Sequence, residues 1–167
     1  LQTSGKIQAS YNQLNFLNTL GMNLSTITDL QGLRNYLIQQ SGLKAVTQHW
    51  SLMHICTHCS QTILCAMTGY PKLKPWLIRK TVGPCILSWF FYRNQMHHNL
   101  QAELIGATPI DVNNREALDV LIQAIDQFLD YKGELQPHFV FGDLNKAQYD
   151  RYFTLHIKDH LNEVRFT

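Results

Sequence analysis

In residues 114–133 the apolar side chains Leu118, Leu121, Ile122, Ile125, Phe128 and Leu129 recur at the three-then-four spacing of a helical seam, with Gly133 as terminator. A helix written this way has one stripe to bury and needs partner helices to bury it against. No stretch of the chain shows the sustained period-two alternation of a half-buried strand, and neither an internal repeat nor a low-complexity tract interrupts it. The expected fold class is therefore all-α.

Other stripes complete the architecture. From Thr26, the residues Ile27, Leu30, Leu33 or Arg34, and Leu37 predict a first helix that Gly42 ends with a left-handed cap. A second runs from about Thr47 through Trp50, Met53, Ile63, Leu64 and Met67 to a stop at Gly69, with Pro71 just beyond. Residues 76–91 are apolar but hold Gly83 and Pro84, so an extra helix there is expected to be kinked or split. Residues 95–114 have the composition of a long crossover loop closing on Asn113 or Asn114 as N-cap, and Asn145 caps a final helix. Residues 1–24 are polar with a few apolar anchors and read as an N-terminal arm. Residues 25–167 read as one four-helix bundle.

Length and charge bound the function. A chain of 167 residues can bury the core of one domain without disulfide staples. With a formal net charge of +2 and only 16% charged residues, no long-range basic field argues for nucleic acid. No 18-residue apolar run is present to cross a bilayer. Cys56, Cys59, Cys65 and Cys85 are too few and too clustered for a secreted disulfide framework, and Cys56-x-x-Cys59 falls inside a predicted helix, where core filling is the natural role. The chain begins at Leu1 without Met, which leans toward an exported bacterial protein and otherwise a cytoplasmic one.

The last helix carries the chemistry. At roughly 100° per residue, Tyr149, Tyr152, Phe153, His156, Ile157, His160 and Val164 share one face, opposite Arg151, Lys158, Asn162 and Arg165. His156 and His160 thus project inward from one turn and can converge on a metal ion. A third ligand has to come from the second helix, which offers His54 and His58; the helical projection leans to His58. The residue after His156 is Ile157, so the glutamate of an H-E-x-x-H peptidase is absent. Asp159 and Glu163 project away from the stripe and are expected in solvent. So are His97, His98 and His138, which sit in loops. Trp76, Trp89, Phe90, Phe91 and Tyr92, among Lys72, Lys74, Arg79, Lys80 and Arg93, admit a membrane- or partner-facing helix; a crossover helix packed on the bundle with its cations in water is the expectation.

Trp50-Ser51, then His58-Cys59-Ser60-Gln61-Thr62-Ile63, Met67-Thr68-Gly69-Tyr70-Pro71, Phe141-Gly142 before Leu144, and Leu155-His156-x-x-x-His160-Leu161 together resemble the DinB/YfiT-like superfamily of metalloenzymes, closest to a branch of unassigned function. The similarity spans nearly everything from Leu43 onward. The resemblance implies an up-down-down-up four-helix bundle holding one divalent metal, zinc or nickel, on His58, His156 and His160. It leaves His54 as a supporting or surface residue, while the helical stripe itself assigns Tyr149, Tyr152 and Phe153 to the core first and to a pocket wall second. It implies a small-molecule substrate, with low-molecular-weight thiols among the candidates and hydrolysis or thiol transfer as the reaction class, and it leaves a homodimer open. Leu161, Asn162 and Glu163 follow the last histidine here, where some members carry a further histidine or arginine. Set beside this reading is a non-catalytic bundle that serves as a metal-binding or interaction module.

Overall fold

The computed structural model describes residues 23–97 and 114–167. A 3-10 turn at Leu24–Thr26 leads to α1 (Leu30–Gln40), β1 (Ala45–Thr47), α2 (Leu52–Thr68), the short α3 (Trp76–Lys80), α4 (Val82–Arg93), α5 (Asn114–Asp130), α6 (Lys146–Leu161) and β2 (Val164–Phe166). The chain is mostly helical. Most of the expected N-terminal arm, most of the crossover loop, Asn113 and His98 lie outside the described residues.

Caps mark where helices begin. The Asp29 carboxylate accepts from Gly32 N at 2.7 Å, and Ser51 Oγ accepts from His54 N at 3.2 Å. Asn145 and Gln148 exchange both bonds of a capping box at 2.9 Å each. Gly69, at φ +103°, ends α2, its N–H donating to Cys65 O at 2.8 Å. Four helices then turn one apolar side inward: Leu30, Leu33 and Leu37 from α1; Ile55, Cys56, Cys59 and Ile63 from α2; Leu118, Leu121, Ile125 and Phe128 from α5; Tyr149, Phe153 and Ile157 from α6. Burial of each large aliphatic stabilises by roughly 1.5–3 kcal/mol. Both α1 and α2 lie against α5 and α6. Polar ties set their offsets. Arg34 of α1 pairs with Asp126 of α5, and Leu30 N donates to Asp150 of α6 at 3.1 Å. Lys146 Nζ donates to Leu129 O and Tyr131 O at the end of α5.

Several expectations need correction. The mostly helical fold adds one small sheet to the all-α expectation: β1 and β2 pair antiparallel, Ala45 opposite Phe166 and Thr47 opposite Val164. Val164 therefore lies in a strand rather than on the last helix, and Thr47 precedes α2, which starts only after the Ser51 cap. Gly42 does not cap α1: the helix ends at Gln40 with Ser41 at an ordinary φ of −69°. Gly133 lies beyond the end of α5, whose last turn closes when Tyr131 N donates to Phe128 O. The break in the 76–91 stretch comes at Thr81 rather than at Gly83-Pro84. Pro84 then falls in the first turn of α4, where its missing N–H removes no helical bond.

A candidate metal centre between α2 and α6

α2 and α6 pack so that their inward faces meet at three imidazoles. His58 is 4% exposed, His156 3% and His160 2%, so all three rings are out of solvent. His156 Nε2 stands 3.3 Å from His58 Nε2 and 3.2 Å from His160 Nε2. One nitrogen from each ring lies within 4.8 Å of the others. Two imidazole nitrogens at this separation form a hydrogen bond only when one of them carries the proton. A single cation between them can instead use a lone pair from every ring. Zinc–nitrogen bonds of about 2.0–2.1 Å in a tetrahedral arrangement put neighbouring nitrogens roughly 3.3–3.4 Å apart. The observed spacings fit that edge. The three nitrogens therefore make a donor set that could hold one divalent ion.

Aromatic rings hold the histidines in place. Trp50, just ahead of the α2 cap, stacks on His160 with centroids 5.6 Å apart and meets His58 edge-on at 5.3 Å. His54 stacks on Trp50 at 4.0 Å, nearly parallel, so it clamps the indole rather than joining the triad. On the other side Tyr152 stacks on His156 at 5.6 Å. Tyr149 and Phe153, read with the core stripe first and as a pocket wall second, are fully buried against Phe128, and the Tyr149 hydroxyl donates to Gln136 O at 2.7 Å. They belong to the core. Thr62 Oγ1 donates to His58 O at 3.0 Å, one turn back along α2.

A family model described as "Protein of unknown function (DUF1569)" matches residues 18–167. The chain belongs to DUF1569. No curated protein and no solved structure matches it. The match covers every element of this DUF1569 chain described above, so all three histidines of the cluster fall within the family's span.

Of the two acidic residues expected in solvent, one is buried and the other partly so. Asp159 is 6% exposed and pairs with His97 Nδ1 at 3.4 Å, because α6 is covered on that side by the segment after α4. Glu163 is partly buried, 3.2 Å from His49 Nδ1. His138, read as an exposed loop residue, is 1% exposed. Its Nδ1 accepts from Val140 N and Phe141 N at 3.1 Å each, which puts the proton on Nε2, and that atom is buried without a partner among the described residues. Phe141 stacks on the ring at 4.5 Å, with Tyr152 edge-on at 4.8 Å and Tyr70 at 5.0 Å. Burial drives its pKa down to about 3. Tyr152 thus lies between His138 and His156. The only sequence trace of this is the run of aromatics around His138, ending at Gly142.

All four cysteines are free, and Cys56 and Cys59 are buried in the core. Burial pushes the Cys56 thiol up to about 12 and the Cys59 thiol well above its usual value, which makes both inert packing groups at neutral pH. No helix among the described residues is long and apolar enough to cross a membrane.

Proposed function

We propose that His58, His156 and His160 hold one divalent metal ion, zinc or nickel, with a coordination position left for a ligand, and that the protein is a metal-dependent enzyme acting on a small molecule. The observation that carries the reading is the position of His156 Nε2, 3.3 and 3.2 Å from its two counterparts among buried side chains. The DinB/YfiT-like resemblance supports it, as does the packing of α1 and α2 against α5 and α6, which suits an up-down-down-up four-helix bundle. Three protein ligands and an open fourth position are the arrangement of catalytic zinc sites; such an ion supplies an activated water or a stabilised thiolate, suited to hydrolysis or thiol transfer.

The chain's own residues orient and exclude water. Trp50, wedged between His54 and His160, covers the site from the α2 end, and a substrate enters by displacing it. Tyr152 fixes the plane of His156. The stacked Trp50 also favours a second reading, a closed metal site in a non-catalytic binding module.

Elemental analysis of protein purified without added metal, alongside a His156→Ala/His160→Ala variant, tests the first step. About one equivalent of metal in the wild type and none in the variant is expected. A wild type that stays metal-free after incubation with zinc or nickel ends the proposal. The cobalt-substituted protein separates the two readings: its visible spectrum shifts with added small thiols or anions if a coordination position is open, and stays fixed if the site is closed.

A further inference from the structure

α4 is apolar on both sides. Its inner side buries Gly83 and Leu87 and half-buries Phe90 and Phe91, and it packs on α6. Its outer side presents Val82, Ile86, Trp89 and Tyr92 at the i, i+4, i+7, i+10 spacing of a single helical face, with Tyr92 81% exposed. Just upstream, Trp76 and Leu77 of α3 are 65% and 63% exposed. Among the described residues, eight of the eleven exposed large apolar side chains fall between Leu73 and Tyr92, so the exposure belongs to this one segment. A helix that is apolar all round is normally covered on all sides.

Charge says what covers it. No Asp or Glu occurs between Asp29 and Glu103, while Lys72, Lys74, Arg79, Lys80 and Arg93 bracket the apolar residues of α3 and α4. Asp143 engages Lys80 at 2.6 Å, and the Arg93 guanidinium lies 5.6 Å from the Trp89 ring centroid. A second copy docked two-fold on this face would set the same cations against each other. Exposed tryptophan and tyrosine beside aliphatic residues, fringed by lysine and arginine, match a bilayer's headgroup boundary. We propose that the outer face of α4, with α3, is a docking surface for an anionic lipid membrane. The helix lies in the plane of the membrane, since its twelve residues span about 18 Å against a hydrocarbon thickness of about 30 Å. This face is formed by α3 and α4, apart from the three histidines on α2 and α6.

The test is flotation of the full chain with vesicles of phosphatidylcholine alone or mixed with phosphatidylglycerol. Binding to the mixed vesicles alone is expected, falling about tenfold or more when salt is raised to about 0.5 M and by a similar factor in Lys72→Gln/Lys74→Gln. Trp89→Ser/Tyr92→Ser, at exposed positions, is expected to lose vesicle binding while keeping its helical circular dichroism and metal content. Failure to float with anionic vesicles overturns the proposal, as does equal binding to neutral ones. So does shielding of Trp89 from a soluble quencher in the free chain, which would mean that the protein covers its own face. Concentration-dependent dimerisation abolished by Trp89→Ser, without vesicle binding, would assign the face to a second copy instead.

Discussion

At the scale of single residues, His138 behaves as a structural acceptor. Its Nδ1 satisfies two buried N–H groups, which explains why a loop histidine is held inside four aromatic rings. The folded-state pKa of about 3 lies below the ordinary 6.5, so the native state refuses a proton that the unfolded chain accepts. Its contribution to stability is therefore complete above about pH 6.5 and declines as pH falls toward 3. The slope approaches one proton's worth, about 1.4 kcal/mol per pH unit. His138→Leu is expected to be less stable at pH 7 by about 1–3 kcal/mol for each orphaned N–H, yet to show a shallower loss between pH 6 and 4. Urea denaturation at stepped pH reads both, and an unchanged slope would remove the histidine from the acid response. His156 and His160 were legible in the sequence because helical periodicity placed them among Tyr152, Phe153 and Ile157. His138 was not, because a residue after Pro137 in an irregular loop has no period to give its direction. His54 was ambiguous for another reason: the helical projection cannot see Trp50, whose ring decides where His54 rests.

Helices were legible wherever stripe and cap coincided. Asn145 followed by the Tyr149–Phe153–His156 stripe is such a case, and the capping box formed there. Asn145→Ala removes the acceptor for Gln148 N and is expected to cost about 1 kcal/mol, read as a lower denaturation midpoint with an unchanged slope. The strands are not legible in the sequence because each has three residues and the pairing joins Ala45–Thr47 to Val164–Phe166, a contact no local pattern reveals. The helix break at Thr81 follows from packing. A side chain at Gly83 would drive its Cβ into Val140 O, and one at Gly142, φ +76°, would meet Arg79 O at 2.7 Å, so both glycines let the 138–142 loop touch the α3–α4 junction by backbone. Both neighbours are main chain and cannot swing aside. Gly83→Ala is therefore expected to destabilise by about 2 kcal/mol or more, seen as a drop in Tm, whereas Gly42→Ala, with open space around its Cβ, is expected to leave Tm nearly unchanged.

Across the whole molecule, the two-stranded sheet connects the two halves of the candidate metal centre. Lys44 and Thr167 exchange N–H···O bonds of 2.9 and 2.8 Å at its end, and His49 meets Glu163 at 3.2 Å beside it. This joins the segment entering α2, which carries Trp50 and then His58, to the segment leaving α6, whose penultimate residue is His160. A ligand that binds only the folded state stabilises it by about 4 kcal/mol at a thousandfold excess over Kd. Zinc or nickel is accordingly expected to raise Tm in the wild type and not in His156→Ala/His160→Ala. A metal bound as proposed would hold α2 against α6 as the sheet does, and the two would then be linked reciprocally. Deleting residues 164–167 frees the far end of this connection and is expected to weaken metal binding on the order of tenfold, about 1.4 kcal/mol. Asn145→Ala destabilises the opposite end of α6 and leaves the spacing of the histidines alone, so its affinity is expected to stay within about twofold of the wild type. Competition titration against a chromophoric chelator separates the two outcomes. Equal losses in both variants would show that affinity follows global stability, and the sheet would then have no special hold on the site.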